Sequence, residues 1–322
     1  MIGKSAAFLK ITAMIAKIAG CDAPVLLEGE TGTGKELVAR AIHYQGKRRD
    51  QPFVPVNCGA IPDVLIENEL FGHRKGAFTD ARGDQPGLIA HAQAGTLFLD
   101  EVDALSPKGQ VALLRFLQDR HYRPLGDPRE HATDVRIIAA SNTSLAQQAE
   151  ASLFRKDLLY RLKILYLELP PLRQRPGDPI LLAEYFVCVC SERFGKPIKT
   201  FHPEACAWIE AYSWPGNIRE LENWVYREFL LAEGPVIDFG LITPSPTDRR
   251  RGGDRRRREI DELDYATAKA KALKDFETQF LASVLTKAQG NVTVAATLAG
   301  TERRYLGKLL KKRGLDKNHY HA

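Results

Sequence analysis

The chain has 322 residues, which corresponds to about two domains. With 44% hydrophobic and 27% charged residues, its composition is that of an ordinary globular protein. No stretch approaches the ~18 consecutive apolar residues of a membrane span, and the first residues do not form a signal peptide. The five cysteines lack the paired spacings of a zinc site or a disulfide framework, which favours a reducing, cytoplasmic location. Membrane-spanning, disulfide-rich secreted and fibrous proteins are excluded.

Positive charge is concentrated near the C-terminus. The chain carries 46 Lys and Arg against 40 Asp and Glu, and the last 75 residues hold 18 of the basic and 10 of the acidic residues. The rest of the chain is therefore close to neutral. A basic end on a near-neutral body is typical of proteins that bind a polyanion, and a solvated basic surface is the simpler alternative.

Five short apolar runs predict buried strands in the first half of the chain. They lie at 24–28, 53–57, 95–100, 134–140 and 163–169. Helical patterns between them include 34–45 and 108–119. This alternation indicates an α/β fold, a parallel sheet with helices on both faces.

The remaining sequence changes character twice. Residues 171–242 lose the strand pattern and are predicted to be helical, and residues 243–259 break all periodicity with Pro, Gly and seven Arg. We interpret 243–259 as a basic flexible linker, with a phosphate-contacting arm as the less favoured alternative. The predicted domains are therefore 1–170 (α/β), 171–242 (helical), the linker 243–259, and a small all-α domain at 260–322.

A glycine-rich segment, GETGTGKE, follows the first predicted strand and opens a helix. This is the setting of a phosphate-binding loop, in which backbone N–H groups and the helix N-terminus surround a phosphate. Lys35 is expected to reach the β- and γ-phosphates, whereas Glu36 stands where Ser or Thr usually contacts magnesium. A tight strand–helix connection is the alternative. The predicted ATP-binding residues here are Gly29, Glu30, Thr31, Gly32, Thr33, Gly34, Lys35 and Glu36.

Two acidic residues follow the third predicted strand. Asp100 and Glu101 lie at the sheet edge where such folds bind ligands. Asp100 is expected to hold Mg²⁺, and Glu101 to orient or deprotonate an attacking water. Two acids capping a helix are the alternative, but the phosphate-binding loop about 65 residues upstream favours hydrolysis of ATP.

Six motifs then occur in a recognisable order. They are GETGTGKE (29–36), ENELFGHRKGAFTDA (67–81), GTLFLDE (95–101), FRKDLLYRL (154–162), LPPLRQR (169–175) and WPGNIREL (214–221). Together they resemble the AAA+ domain of bacterial sigma-54-dependent activators, the enhancer-binding proteins of the NtrC and NifA type. The resemblance covers about residues 1–240 and implies a P-loop ATPase subdomain followed by an α-helical lid.

The resemblance implies roles at matching positions. Asn57 resembles the residue that holds the catalytic glutamate until the nucleotide state changes, and Asn142 resembles sensor I, which reports on the γ-phosphate. Arg155 and Arg161 resemble the arginine fingers that reach the ATP of a neighbouring subunit, so hydrolysis is expected to need a ring, a hexamer. Arg219 resembles sensor II and is predicted to bind ATP. Surface ion pairing is the alternative for the arginines.

The GAFTDA segment resembles the surface loop that contacts sigma-54 in this family. Its residues are Gly76, Ala77, Phe78, Thr79, Asp80 and Ala81. The usual pattern is GAFTGA, and Asp80 replaces its second glycine, although Asp tolerates the left-handed region better than most residues. We keep the sigma-54 assignment and leave open a DNA-binding AAA+ regulator that no longer engages sigma-54. An AAA+ remodelling enzyme of another class is disfavoured.

The C-terminal region predicts a helix-turn-helix at 291–315, which resembles the Fis-type domain of many such activators. Asn291 is the expected N-cap, and Val294, Ala295 and Leu298 are expected to pack the first helix. The predicted DNA contacts are Thr301, Arg303, Arg304, Lys308 and Lys311.

The resemblance as a whole implies an activator that binds upstream double-stranded DNA as dimers and assembles into a ring. ATP hydrolysis would then remodel sigma-54 RNA polymerase to open promoters. The sequence begins almost at the ATPase segment, so a sensory domain is either naturally absent or lies outside this sequence. Control by a regulatory protein acting in trans is therefore expected.

Overall fold

The computed structural model describes residues 1–63, 65–78, 81–238 and 291–298, together with residues 281, 285, 288 and 310. The chain divides into two units, residues 1–242 and residues 243–322, and each is treated by itself. None of the helices in the described ranges is long and apolar enough to cross a membrane.

A five-stranded parallel sheet forms the centre of the first unit. Its strands are β1 (Val25–Glu28), β2 (Phe53–Asn57), β5 (Thr96–Asp100), β8 (Arg136–Ser141) and β9 (Leu165–Glu168). They are arranged in the order β2-β5-β8-β1-β9, and every neighbouring pair is parallel. All five strand predictions are confirmed within two residues at either end. β1 and β8 are buried along their whole length, as expected for apolar runs inside a parallel sheet.

Helices cover both faces of this sheet, as predicted. They are α1 (Ala6–Ala19), α2 (Lys35–Tyr44), α3 (Ile66–Phe71), α4 (Leu88–His91), α5 (Pro107–Asp119), α6 (Leu145–Glu150) and α7 (Lys156–Leu162). On one face, Ile15 and Ile42 of α1 and α2 pack with Phe98 of the sheet. On the other face, residues such as Leu113 and Leu158 pack with the alternate sheet side chains. This alternation buries both sides of each strand.

Two small antiparallel pairs lie outside the main sheet. They are β3 (Gly72–His73) with β4 (Gln85–Pro86), and β6 (His121–Tyr122) with β7 (His131–Ala132). A parallel bridge between His73 and Leu125 joins the two pairs. The segment 76–81 therefore emerges between β3 and β4, on a support that the sequence patterns did not predict.

The region after β9 is the helical lid. It contains α8 (Asp178–Phe194), α9 (Pro203–Ala211) and α10 (Asn217–Leu231). Its core includes the three tryptophans of the chain, Trp208, Trp214 and Trp224. The prediction of a helical region is confirmed, with one addition: the two-residue strands β10 (Thr200–Phe201) and β11 (Val236–Ile237) pair in parallel.

In the second unit, the structure describes α11 (Val292–Leu298). Oδ1 of Asn291 accepts hydrogen bonds from the N–H groups of Thr293 and Val294, so the predicted N-cap is confirmed. Ala295 is buried as expected, whereas Val294 is 45% exposed, and that packing prediction is wrong. Ala296 is buried instead, because the N-cap sets the start of the helix and so which face turns inward. The linker 243–259 lies outside the described residues.

Candidate functional site

The phosphate-binding loop connects β1 to α2. Gly32 and Gly34 have φ values of 80° and 95°, in the left-handed region that glycine adopts without strain. Gly34 is the N-cap of α2, and no side chain caps that helix. The first-turn N–H groups of α2 are therefore free of side-chain caps, as an anion site at a helix N-terminus requires.

Lys35 is the buried cation of this loop. Its amine donates to the carbonyl oxygens of Gly29 and Glu30, over 2.6 and 3.1 Å, and to Oδ1 of Asn142 over 2.7 Å. Burial lowers the pKa of this amine, and the carboxylates that follow β5, Asp100 first, oppose the shift. The amine is thus held at the loop by acceptors that an anionic ligand can replace.

The two predicted catalytic acids stand where β5 ends. Oδ1 of Asp100 accepts the N–H of Glu101 over 2.9 Å, and burial raises the pKa of the Asp100 carboxyl. Glu101 has a φ of 55°, which is uncommon for a residue with a side chain and typical of functional positions. Its Oε1 accepts a hydrogen bond from Nδ2 of Asn142 over 3.3 Å. Asn142 therefore lies between Lys35 and Glu101 and bonds both.

Asn57 ends β2 next to Asp100 in the sheet register. Its Oδ1 accepts from the N–H groups of Gly59 and Ala60 and caps the helical turn Cys58–Ala60. In this structure Asn142, and not Asn57, is the hydrogen-bond partner of Glu101. Gly59 is a residue that the sequence did not single out. A Cβ there would lie 2.6 Å from Oε2 of Glu101, so glycine leaves room for the catalytic carboxylate.

The lid closes over the same loop. The N–H of Ile218 donates to the carbonyl oxygen of Gly32 over 3.0 Å, and a Cβ on Gly32 would approach the Cβ of Arg219 to 3.2 Å. The Arg219 charge also contributes to lowering the pKa of Lys35, after burial. Arg219 thus lies at the phosphate-binding loop, 184 positions after Lys35 in the sequence.

An apolar cavity of about 210 Å³ adjoins the loop at Thr33 and Gly34. Its other walls come from α1, α2 and the lid, and include Ile2, Phe8, Ile11, Leu37, Leu182 and Phe186. The sequence patterns did not single out these side chains as a ligand site, because each reads as ordinary helix packing.

Glu36 and the two finger candidates differ in their partners. Glu36 pairs with Arg40 one turn along α2, over 2.8 Å. Arg155 is held by a two-point ion pair to Asp157, over 3.0 and 2.7 Å. Arg161 is exposed on α7 and has no ion pair among the described residues.

The GAFTDA segment forms a turn on the β3–β4 pair. The N–H of Gly76 donates to the carbonyl oxygen of Ala81 over 2.9 Å, and Ala81 is buried, which does not favour direct partner contact at that residue. Phe78 is 44% exposed, and its ring centroid lies 4.9 Å from that of His73. Thr79 and Asp80 lie outside the described residues.

Residues 1–168 match the family described as Sigma-54 interaction domain, and residues 173–258 match the AAA+ ATPase lid domain. The regulatory protein AtoC of Escherichia coli is 40% identical over 319 residues, which are 98% of this chain and 68% of AtoC. The chain belongs to the family of sigma-54-dependent activators. Its first unit is an AAA+ ATPase domain with its lid.

Two further relatives and a solved structure agree with this family. The response regulator PilR of Pseudomonas aeruginosa is 42% identical over 98% of this chain and 70% of PilR. The phenol regulator MopR of Acinetobacter guillouiae is 41% identical over 97% of this chain, which spans 56% of the length of MopR. The crystal structure of NtrX from Brucella abortus in complex with ATP is 31% identical, with a TM-score of 0.71 over 98% of this chain and 69% of NtrX.

The structure brings part of the predicted sigma-54 activator site together. Lys35, Asp100, Glu101, Asn142 and Arg219 meet around the phosphate-binding loop, whereas Arg155 and Arg161 face outward on another surface. The predicted DNA contacts, Thr301, Arg303, Arg304, Lys308 and Lys311, lie outside the described residues.

Proposed function

We propose that this sigma-54 activator hydrolyses ATP and uses the cycle to remodel sigma-54 RNA polymerase at promoters. The observation that supports this most is the row of hydrogen bonds from Lys35 through Asn142 to Glu101, beside the uncapped start of α2. A cation suited to phosphate oxygens and a carboxylate suited to water thus stand at one edge of the sheet.

ATP fits the site as substrate in two ways. The N-terminus of α2 offers N–H groups to the phosphates, and the apolar cavity beside Thr33 and Gly34 offers walls to the base. The bound ATP in the related NtrX crystal is consistent with this. We infer that ATP lies along the loop, with its base between α1 and the lid.

In the hydrolysis step, Lys35 exchanges its present acceptors for phosphate oxygens, and Glu101 orients and deprotonates the attacking water. Asp100 is the residue that would hold Mg²⁺, which when bound neutralises charge on the phosphate oxygens. Among the described residues, no group of three or more His, Cys, Asp or Glu could hold a metal by itself. Protein carboxylates plus substrate phosphates are the usual magnesium ligands. Asn57 stays a predicted restraint on Glu101.

The trans arginine is best supplied by Arg161. Arg155 is occupied by Asp157, whereas Arg161 is exposed and unpaired within the described part of the chain. An arginine delivered by a neighbouring subunit stabilises charge that develops on the transferred phosphoryl group. We therefore propose a ring, a hexamer, in which each ATP is completed by the next subunit.

The remaining steps concern sigma-54 and DNA. Phe78 presents a half-exposed ring at the GAFTDA turn, and we propose that the ATPase cycle moves this turn against sigma-54. The second unit is proposed to bind upstream double-stranded DNA through its helix-turn-helix, as dimers. A partner acting in trans would control the activator.

The test is complex formation with purified sigma-54, trapped by ADP and a metal fluoride that imitates the transferring phosphoryl group. We expect a nucleotide-dependent complex that Phe78→Ala abolishes while ATP turnover continues. Ile198→Ala is the matched control, because it removes another exposed apolar side chain, in the lid. The complex should survive that change.

Absence of a complex despite normal ATP turnover would contradict the sigma-54 contact. If Asp80→Gly then restored the complex, the regulator that no longer engages sigma-54 would be the better description of the natural chain. If Asp80→Gly also failed, the loop itself would be excluded as the contact.

A further inference from the structure

Glu30 belongs to the phosphate-binding loop, but its carboxylate bonds the lid. Oε2 accepts from Nη1 of Arg173 over 2.8 Å and from Nδ2 of Asn217 over 3.1 Å, while Oε1 accepts from Nη2 of Arg173 over 2.5 Å. Hydrogen bonding to Arg173 is the main cause that lowers the pKa of Glu30 to about 2. Both carboxylate oxygens are therefore taken up by lid residues.

Asn217 is the buried centre of this contact. Its side chain is fully buried, and its amide makes three hydrogen bonds. Nδ2 donates to Glu30 and to the carbonyl oxygen of Thr31 over 3.0 Å, and Oδ1 accepts the N–H of Leu172 over 2.8 Å. Its φ of 53° is left-handed, which Asn and Asp tolerate better than other residues with side chains.

The lid thereby fixes the direction of P-loop peptide groups. Carbonyl oxygens of two successive residues, Thr31 and Gly32, accept from Asn217 and Ile218 of the lid. In a trans peptide the carbonyl and the following N–H point in opposite directions. Holding the Thr31 carbonyl on Asn217 therefore turns the Gly32 N–H away from the lid. Arg219 follows two positions after Asn217, so the same contact sets where the lid arginine begins.

We propose that Glu30 and Asn217 are positioning residues of the ATP site, joined with Arg173 in a latch between the P-loop and the lid. The latch holds the P-loop N–H groups and Arg219 in the arrangement that ATP requires. Glu30 then acts through the lid rather than by touching ATP. This inference rests on ATP binding at the P-loop and not on the contact with sigma-54.

A merely structural role makes a different prediction. The side chains of Arg173 and Glu30 are 42% and 41% exposed, and exposed ion pairs contribute little to folding stability. Losing the latch should therefore change nucleotide affinity much more than thermal stability. A structural tie would show the reverse.

The experiment uses Glu30→Gln, Asn217→Asp and the double variant in the full chain. Asn217→Asp keeps the acceptor for Leu172 and tolerates the left-handed backbone, but it places an oxygen against Oε2 of Glu30. In the double variant, the amide introduced by Glu30→Gln can donate to that oxygen. Arg227→Gln is the control, because it removes an exposed ion pair of the same helix, ten residues further along.

Affinity is measured with an ATP analogue that carries a fluorescent group on the ribose, and turnover gives KM and kcat. Fluorescence of the three lid tryptophans checks that the lid is folded. We expect each single change to weaken analogue binding and raise the KM for ATP at least threefold, with a smaller change in kcat. The double variant should bind better than Asn217→Asp alone, whereas Arg227→Gln should match wild type.

Two results would overturn the latch. One is unchanged affinity in the folded Glu30→Gln variant. The other is a double variant whose loss equals the product of the two single losses, since independent positions behave additively. A wild-type chain that failed to bind the analogue would instead contradict the proposed function, and the latch with it.

Discussion

The amine of Lys35 donates a 2.7 Å hydrogen bond to the side-chain oxygen of Asn142. The contact is possible because β8, which precedes Asn142, lies between β1 and β5 in the sheet. The same amide reaches Glu101 after β5. Phosphate that takes Lys35 from Asn142 would free one side of this amide, so the state of the P-loop can reach the carboxylate through a single residue.

Replacing Glu101 by Gln should separate ATP binding from turnover. Gln keeps an oxygen for the Asn142 amide but cannot take a proton from water, and general-base catalysis contributes roughly 10²–10⁴-fold. We expect ATP affinity within about twofold of wild type, a change well below the 1.4 kcal/mol that corresponds to tenfold. Turnover should fall by at least ~10²-fold. Equilibrium binding and phosphate release measure the two quantities.

The control for this change is Glu130→Gln, which neutralises an exposed acid of the β6–β7 pair. It should retain turnover. Substantial ATP hydrolysis by Glu101→Gln would show that another group activates the water.

Replacing Arg161 by Ala should also stop turnover while ATP still binds, because the residue is proposed to act on the neighbouring site. Mixing Arg161→Ala with Glu101→Gln should then restore part of the ATPase activity. In such rings, the intact site of one variant meets the intact arginine of the other. Phosphate release at a series of mixing ratios is the measurement.

The matched control mixes Arg161→Ala with the double variant Glu101→Gln/Arg161→Ala. No intact arginine is then available, and no activity should return. If the first mixture also stayed inactive in rings shown to contain both variants, Arg161 would not act in trans.

The sheet and its edge could be predicted from the sequence because parallel buried strands leave a strong local signal. Lys35 and the acids after β5 followed, since carboxyl ends of parallel strands share one edge. The roles of Asn142 and Arg219 came only from the resemblance to a family. Their positions depend on tertiary contacts that no local pattern encodes.

Other features left no usable signal. Glu30 reads as part of a phosphate loop, and nothing in its neighbourhood indicates that Arg173, 143 positions later, takes its carboxylate. Phe8 reads as the apolar face of α1, although it also lines the cavity beside the loop. The error at Val294 is local: a seven-residue helix offers too few apolar positions to define its buried face.

Acid should weaken the latch at Glu30. Its pKa in the folded chain is about 2, against 4.5 without these partners, so the unfolded chain binds more protons between these values. The stabilisation is fully present above about pH 4.5 and is lost as the pH falls through about 2. The free energy of lid unfolding should therefore differ between wild type and Glu30→Gln at neutral pH, by less than ~1 kcal/mol for so exposed a pair.

That difference should shrink as the pH is lowered, and urea unfolding followed by lid tryptophan fluorescence at several pH values measures it. Asp157→Asn, which breaks the exposed pair with Arg155, tests whether any surface carboxylate behaves alike. A difference between wild type and Glu30→Gln that grew with acid would reverse the sign and contradict the proposed ion pair.

DNA binding by the second unit should depend steeply on salt. The last 75 residues hold 18 Lys and Arg, and each phosphate contact releases counterions when it forms. We expect the affinity for upstream DNA to fall by at least ~10-fold between 50 and 200 mM salt. Lys308→Ala and Lys311→Ala should each weaken binding to all sequences alike and lower the slope of log affinity against log salt by about 1. Lys269→Ala, ahead of the helix-turn-helix, should leave the slope unchanged. An affinity that did not respond to salt would exclude phosphate contacts by the basic tail, and an equal effect of all three lysines would indicate a diffuse charge effect instead of a defined helix on DNA.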